Sequence, residues 1–192
     1  MRFLKKIMNA IEAILSRKSA PRLEEPAPND HELELIYKSA LRAPDHAALK
    51  PWKFLNVSGE GRRKLAEAAY EAIKKTDPQK ALANKDKILN APYRAPLIIV
   101  VIASTKEHEI VPEIEQILSA GAAAQNILIA SHSLGYSAIW RTGFLAFNKE
   151  VSLSFGMDKS DIIIGYLYIG STDKKMEAPE ISSINDYVYK WS

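Results

Sequence analysis

The chain has 192 residues, of which 47% are hydrophobic and 26% are charged. This length and composition suffice for one substantial hydrophobic core, so we expect a single domain over residues 1–192. The net charge is only +3 and basic residues alternate with acidic ones, which argues against nucleic-acid binding. The sequence has no cysteine, which excludes disulfides, thiolate metal sites and a cysteine nucleophile. Any redox chemistry must therefore come from a bound cofactor.

The N-terminal segment has the periodicity of an amphipathic helix over about residues 3–16. One apolar stripe would be formed by Leu4, Ile7, Met8, Ile11, Ile14 and Leu15. We expect this stripe to dock on the core or on a partner subunit, although a membrane-surface helix has the same periodicity. Glu12 interrupts the apolar segment and no cleavage site of the A-x-A type follows, which argues against a signal peptide. The longest apolar run, 97–103, is too short to span a bilayer, so we predict a cytoplasmic protein without membrane contact.

A short, charged loop connects the next helix to the first strand. Asp30 is placed to cap a helix through "HELELIYKSALRA", which Pro44 would end. The loop "ALRAPDHAALKPWKF", residues 40–54, then leads into a strand at 52–58. Since Pro44 and Pro51 stiffen this loop, its charged side chains should keep a fixed geometry.

Helices and strands alternate along the rest of the chain. The predicted elements are helices at 62–75, roughly 78–90, 119–135 and 149–156, and strands at 95–104, 136–140 and 162–170. The strand "APLIIVVIAS" is apolar throughout, which is typical of a strand buried on both faces. About four strands and a larger helical content predict an α/β or α+β sandwich. The tail at 172–192 has no clear periodicity.

Common catalytic and nucleotide-binding motifs are absent from the sequence. There is no G-x-x-x-x-G-K-[ST] or G-x-G-x-x-G loop, no H-E-x-x-H and no G-x-S-x-G. The nearest metal-like cluster is "EHE" at 107–109, a pattern more typical of a solvated loop. We therefore predict no metal site and no serine hydrolase.

Cationic residues beside serine, threonine and proline remain as candidate binding groups. They are Arg17, Lys18, Ser19 and Arg22; Arg42 and His46; and Arg141 and Thr142. Guanidinium and hydroxyl groups are the donors that an organic phosphate requires. A solvated basic turn remains an alternative for the first group, and a cation at a helix end remains one for Arg42.

Six segments, in this order and spacing, resemble the nitroreductase family of flavoproteins: "SRKSAPR", "RAPDHAALKPWKF", "NAPYRAPLIIVV", "SAGAAAQNILIAS", "LGYSAIWRTG" and "IIIGYLYIG". The resemblance covers about residues 10–171. It implies an α+β fold with a central mixed or antiparallel sheet flanked by helices, and a homodimer that binds FMN at the subunit interface. It also implies that hydride from NADH or NADPH passes through the flavin to nitroaromatic or quinone-like small molecules by a ping-pong mechanism.

The same resemblance assigns cofactor-binding roles to three groups of residues. These are Arg17, Lys18 and Ser19 for the FMN phosphate and ribityl chain; Arg42 and His46 for the flavin of the other subunit; and Trp140, Arg141 and Thr142 beside the reactive edge of the ring. No residue is assigned a catalytic role, because the flavin carries the chemistry, although His46 is a titrating candidate.

Two positions depart from the pattern of the resembling proteins, and two other functions fit the same sequence. Lys50 stands where the resembling subgroup usually has glutamine before Pro-Trp, so contacts near the flavin should differ there. Lys18 replaces the commoner arginine, which keeps the charge but loses the bidentate fork. Trp52 is expected in the core rather than at the cofactor. The alternatives are a non-catalytic flavin-binding protein of the same fold and a cofactor-free helical interaction protein; the small residues at 119–130 suit all three functions.

Overall fold

A computed structural model describes residues 8–174, 177 and 180–191 of the chain. The α-helices of these residues are α1 (Ala10–Ser16), α2 (Asp30–Ala40), α3 (Gly61–Thr76), α4 (Pro78–Ala83), α5 (Lys85–Asn90), α6 (Glu113–Ser133) and α7 (Lys149–Ser154). The strands are β1 (Trp52–Ser58), β2 (Leu97–Ser104), β3 (Ser137–Arg141) and β4 (Asp161–Gly170). Short 3-10 turns occur at His46–Ala48, Ala91–Arg94 and Ile184–Asp186.

The four strands of the described residues form one antiparallel sheet in the order β1-β2-β4-β3. Strand β2 lies inside the sheet, whereas β3 is an edge strand. Ile99 and Val101 of β2 belong to one core cluster, and Ile98 and Val100 belong to another, because successive side chains point to opposite faces. The prediction that this apolar run is buried on both faces is therefore confirmed.

Helices cover both faces of the sheet. On one face, α6 packs its small residues Ala120, Ala123 and Ala124 into the cluster that contains Ile99, with α2 beside it. Small side chains allow the two helices and the sheet to approach closely. On the opposite face, Leu65 of α3 packs with the second cluster, and α7 lies against α3. The α+β class, with a central sheet flanked by helices, is confirmed.

The cap of α2 differs from the predicted one. Asn29, not Asp30, is the N-cap: its side chain accepts from the Glu32 N–H at 3.0 Å, and Glu32 Oε2 accepts the Asn29 N–H at 2.9 Å. This reciprocal arrangement satisfies two backbone N–H groups at once, which a cap on Asp30 would not do. Glu32 also accepts the Tyr136 hydroxyl at 2.7 Å, which ties α2 to the start of β3. The helix ends at Ala40, ahead of the predicted end.

Two other helix predictions need correction. Helix α6 begins at Glu113 rather than at 119, because the small residues that marked it form only its packed central part. The polar stretch at 78–90 forms two short helices, α4 and α5, which meet at Asn84.

The N-terminal helix is confirmed only in its second half. It begins at Ala10, where the Asn9 side chain accepts the Glu12 N–H at 2.9 Å. The predicted residues before Met8 lie outside the described residues. Within α1 the buried residue is Ala13, whereas Ile11 and Leu15 of the predicted stripe are exposed. The α1 part of the stripe, Ile11, Ile14 and Leu15, therefore does not pack on this chain's own core, and Leu4 and Ile7 lie outside the described residues.

Candidate functional site

The segment after α1 runs alongside the edge strand β3. Ser19 forms a parallel bridge with Ala138, and the Ala20 N–H donates to the Ala138 carbonyl at 3.2 Å. The Arg141 guanidinium donates to the Pro21 carbonyl at 3.2 Å. The fold thus brings together the first and third of the predicted cationic groups, which are more than a hundred residues apart in the chain.

The three side chains predicted to hold a phosphate are unengaged. Arg17 and Lys18 are half-buried and Ser19 is exposed. Within the described part of the chain none of these side chains makes a hydrogen bond or an ion pair. Their donors are therefore available to an anion, which would gain charge-assisted hydrogen bonds from them.

Trp140 turns its polar atom into the sheet. Its Nε1 donates to the Ile164 carbonyl at 3.2 Å. Ile164 is left out of the β2–β4 pairing because the register shifts between Val101 and Ile102. Gly165 lies directly beside the indole, since a Cβ atom there would overlap Trp140 Nε1. The indole thus packs against the irregular part of β4 at Ile164 and Gly165. This contact fixes the end of β3, which leads into Arg141 and Thr142.

A cavity of about 450 Å³ opens beside Arg141. It lies on the sheet face opposite α6, and its walls come from α3, α5, the turn at 91–94, β3, β4 and the loop after β3. Most of its lining is apolar or aromatic, and the polar lining residues are Lys87, Arg94, Arg141, Thr142, Tyr166 and Tyr168. Its size falls within the range of about 300–1,000 Å³ that is typical of small-molecule and cofactor sites.

Two buried polar atoms of the cavity wall have no hydrogen-bond partner among the described residues: Arg141 Nε and the Tyr166 hydroxyl. Burial raises the pKa of Tyr166 well above its usual value, so this hydroxyl stays protonated and can donate. The Arg141 guanidinium lies over the Tyr168 ring, 5.6 Å from its centroid. A buried donor without a partner costs about 1–3 kcal/mol. Both donors are therefore suited to a ligand that carries acceptor atoms.

Sequence reasoning assigned no role to several residues of this cavity. Lys87 lies in the polar stretch before β2, where no periodicity singles it out; its Nζ lies 5.8 Å from the Phe144 ring centroid. Arg94 lies in the "NAPYRAP" segment, which supported the family resemblance without a role for this side chain. Tyr166 and Tyr168 did carry a signal, because two tyrosines at alternate positions of a strand share one face.

The loop between α2 and β1 has an unusual backbone. Ala47, Ala48 and Lys50 have φ values of 57°, 53° and 50°. This left-handed region is unfavourable for residues other than glycine. The Asp45 carboxylate accepts the Leu49 N–H at 3.2 Å and the Lys50 N–H at 2.7 Å, which holds the loop in this shape. Such strain persists where the surrounding contacts over-determine it, and it is common at functional sites.

His46 and Arg42 belong to this loop and not to the cavity. His46 Nδ1 lies 2.7 Å from Glu115 Oε2, near the first turn of α6, while Arg42 is exposed. Trp52, which follows the loop, is buried in the core as predicted. The loop lies on the α6 side of the sheet, whereas the cavity lies on the other side. Within one chain, the second cationic group is therefore separate from the first and third.

The loop that carries His46 and the segment Arg17–Ser19 lie at opposite ends of helix α6. Glu115 receives His46 at its N-terminal end, and His132 contacts Ser16, the last residue of α1, at its C-terminal end. At the α-helical rise per residue these two contacts are about 25 Å apart. One chain thus presents the loop and the Arg17–Ser19 segment at opposite ends of the same helix.

The fold is that of the nitroreductase family. The sequence model described as "Nitroreductase family" matches residues 14–171. This chain belongs to that family, and the resemblance predicted from its motifs is confirmed.

Named relatives and solved structures agree with the assignment. The chain is 41% identical over 169 residues to "Putative NAD(P)H nitroreductase YdjA" of Escherichia coli K12, covering 88% of this chain and 91% of the relative. A nitroreductase-like family protein from Bacillus cereus superposes with a TM-score of 0.83 at 25% identity, covering 96% of both chains. A Desulfovibrio desulfuricans protein, described as a nitroreductase in complex with FMN, has a TM-score of 0.73 at 18% identity, covering 95% of this chain and 96% of that chain.

The described residues contain neither a helix that could span a membrane nor a cluster of metal-ligating side chains. None of the helices in residues 8–174, 177 and 180–191 is both long and apolar enough to cross a membrane. The same residues contain no group of three side chains that could hold a metal ion.

Proposed function

We propose that this protein is an FMN-dependent oxidoreductase that takes hydride from NADH or NADPH and reduces nitroaromatic or quinone-like acceptors. The name of the relative YdjA includes NAD(P)H nitroreductase, and the Desulfovibrio structure is described as a complex with FMN. One structural observation carries the proposal. The cavity beside Arg141 has two buried donors without partners among the described residues, and β3, which forms one of its walls, pairs with the segment that follows the unengaged cations Arg17 and Lys18.

The residues present fit a flavin mononucleotide. Arg17, Lys18 and Ser19 offer two cations and a hydroxyl to a phosphate monoester. The cavity offers apolar and aromatic surface to a planar ring, and Arg141 and Tyr166 offer donors to its oxygen and nitrogen atoms. The bound cofactor would accept hydride from a nicotinamide and pass the electrons on, a reaction that the side chains here cannot perform by themselves.

The cavity wall would tune this chemistry through its charges. Lys87, Arg94 and Arg141 all line the cavity, and its lining among the described residues includes no carboxylate. Positive charge beside the ring stabilises the negative charge that reduction places on it and so raises the reduction potential. Trp140, fixed by its bond to Ile164, would keep the backbone of the Arg141 segment in position.

We infer a homodimer that completes the site. Arg42 and His46 lie on the opposite side of the sheet from the cavity, so only a second copy can bring them to a cofactor bound there. A two-fold axis would place the loop of each copy at the cavity of the other. Apolar residues are exposed on α1 (Ile11, Ile14 and Leu15), on α6 (Ile114 and Leu118) and in the tail (Ile181, Ile184, Tyr187, Val188, Tyr189 and Trp191). Exposed apolar surface of this extent is typical of a subunit interface.

His46 is the candidate proton donor to a reduced acceptor. Glu115 holds its Nδ1, which leaves Nε2 free to face a molecule bound over the partner's flavin. Lys50, on the same strained loop, is exposed and would face that molecule as a cation. The nicotinamide and the acceptor would enter the same cleft in turn, which corresponds to ping-pong kinetics. The need for NAD(P)H supports a cytoplasmic location for the reaction.

An anaerobic visible spectrum of the purified protein tests this function. We expect flavin absorbance that bleaches on addition of NADH or NADPH and returns on addition of a nitroaromatic or a quinone. Initial rates at several acceptor concentrations should give parallel double-reciprocal lines. Bound flavin that neither nicotinamide reduces would favour the non-catalytic flavin-binding protein, and a colourless protein that does not bind added FMN would contradict the cofactor assignment.

A further inference from the structure

His132 contacts the predicted phosphate-binding segment from the C-terminal end of α6. Its Nε2 lies 2.9 Å from Ser16 Oγ, and Ser16 Oγ lies 2.6 Å from the Glu12 carbonyl. A carbonyl can only accept, so the single hydroxyl proton of Ser16 is directed to Glu12. The Ser16 oxygen is then left to accept a proton from His132 Nε2. In the neutral ring this arrangement favours the tautomer that carries its proton on Nε2, and a second proton would then be taken up at Nδ1.

The charges around His132 oppose a second proton on the ring. Burial lowers its pKa, the charges of Arg17 and Lys18 lower it further, and the backbone of Tyr136 acts in the opposite direction. From α1 the ring contacts Ser16, and the charges of Arg17 and Lys18 in the following segment act on it electrostatically; its helical neighbours are Ser131 and Ser133. Within the described part of the chain, no carboxylate is among the groups that shift this pKa. The cations that would receive a phosphate are thus the same cations that, after burial, lower the pKa of His132.

We infer that His132 takes up a proton when a phosphate monoester binds at Arg17, Lys18 and Ser19, and so forms part of the anion-binding end of the cofactor site. This inference rests on the proposed function, because it takes the ligand to be the phosphate of FMN. A dianion beside Arg17 and Lys18 cancels their repulsion of a protonated imidazole. The proton then adds a third positive charge to the surroundings of the phosphate.

The direction of the pH dependence follows from linkage. An anion raises the pKa of His132 from its lowered value in the free site, so the complex binds more protons than the free protein does. Affinity for a phosphorylated flavin must then increase as the pH falls through the pKa of the complex, and it levels off below the pKa of the free site. Riboflavin, which has no phosphate, should show no such increase. The protein therefore discriminates between the two flavins more strongly at lower pH.

NMR of the full chain loaded with FMN or with riboflavin tests the inference. We expect the pKa of His132 to be higher by about one unit in the FMN complex, which corresponds to about tenfold tighter binding at a pH below both pKa values. Loss of the assigned signal in His132→Gln identifies the resonance. An identical His132 pKa in the two complexes would overturn the inference, and this comparison needs no folded variant.

Affinity measurements supply a second test. The ratio of FMN to riboflavin affinity should rise between about pH 8 and about pH 6 in the unaltered protein, and less in His132→Gln, which keeps a donor to Ser16 but does not titrate. His31→Gln, an exposed histidine of α2, is the matched control and should follow the unaltered protein. The flavin phosphate has its second ionisation at about pH 6. Its effect on affinity is the same for every variant, so it cancels when the variants are compared. Equal ratios in His132→Gln and in the unaltered protein would refute the coupling.

Sulfate separates this inference from the proposed function, because it remains a dianion over this pH range. If neither flavin binds, the proposed function fails, and a sulfate titration of the His132 signal still tests the anion coupling. An upward shift of the His132 pKa with sulfate would support the coupling. Sulfate that leaves this pKa unchanged would overturn it.

Discussion

At the scale of single residues, Gly165 decides how Trp140 is placed. The indole donates to Ile164 across a position where any Cβ atom would overlap its Nε1. Trp140 in turn leads directly into Arg141, which lines the cavity and whose buried Nε has no partner among the described residues. Gly165 has no left-handed φ, so its role is to leave space for the Trp140 indole. Through that ring it determines the position of the cavity wall.

Gly165→Ala should displace the indole and lose its hydrogen bond. Because the new methyl group meets ring and backbone atoms within a packed sheet, we expect a loss of about 1–3 kcal/mol in the free energy of unfolding. We also expect weaker FMN binding. Urea denaturation and flavin titration measure the two effects.

Gly61→Ala, at the start of α3, is the matched control, since its Cβ would meet Val57 at an ordinary 3.5 Å. This change should be close to neutral in both measurements. Equal stability and equal flavin affinity in the two alanine variants would contradict the role assigned to Gly165.

At the scale of elements, a buried carboxylate joins the edge strand β1 to the inner strand β4. Asp161 begins β4, and its Oδ2 accepts Lys53 Nζ of β1 at 2.9 Å and the Asp158 N–H at 3.0 Å. The lysine reaches Asp161 across the end of β2. Burial alone would raise the pKa of Asp161, but hydrogen bonds from Lys53, Ser104 and the Asp158 backbone outweigh it, so the pKa is lower than usual.

This lowered pKa predicts an acid-dependent stability. The ionised carboxylate stabilises the fold above its unfolded-state pKa of about 4, and the contribution disappears as the pH falls through the lower, folded-state pKa. Asp161→Asn should therefore lower the free energy of unfolding by about 1.5–3 kcal/mol at neutral pH. The difference should shrink on acidification. Urea midpoints measured across this pH range test it.

The exposed carboxylate of Asp173 supplies the control. Asp173→Asn should unfold at the same urea midpoint as the unaltered protein at every pH. A stability difference for Asp161→Asn that stays constant down to acidic pH would show that its effect is steric rather than electrostatic.

The sequence predicted the elements well where one local pattern decides them. The apolar run of β2 and the alternation of helices and strands needed no tertiary information. The cap of α2 was misplaced by one residue, because Asn29 and Asp30 are both good caps and the choice depends on Glu32 closing the reciprocal box. The predicted start of α6 was too late, because its first turns carry polar residues. These residues belong to the helix only because its central part packs on the sheet.

At the scale of the whole molecule, the candidate site is harder to predict than the fold. The family resemblance indicated three cationic groups, but their separation by the sheet is a property of the fold and is not visible in the chain order. Lys87 and Arg94 reach the cavity only because α5 and the turn after it cover one end of the sheet. Cavities of this kind are formed by several elements, so no single segment of sequence contains their signal.

The separation of Arg42 and His46 from the cavity predicts that monomers bind FMN poorly. Leu118→Glu places a charge on an exposed apolar position of α6, 64% accessible in the single chain, and should shift the proposed dimer towards monomer in sedimentation velocity. Loss of the partner's cations should weaken FMN binding by about tenfold or more, since hydrogen bonds to charged groups contribute about 1.5–3 kcal/mol. Leu82→Glu, on the exposed surface of α4, should change neither property. A monomeric Leu118→Glu variant that binds FMN with undiminished affinity would show that one chain holds the complete site.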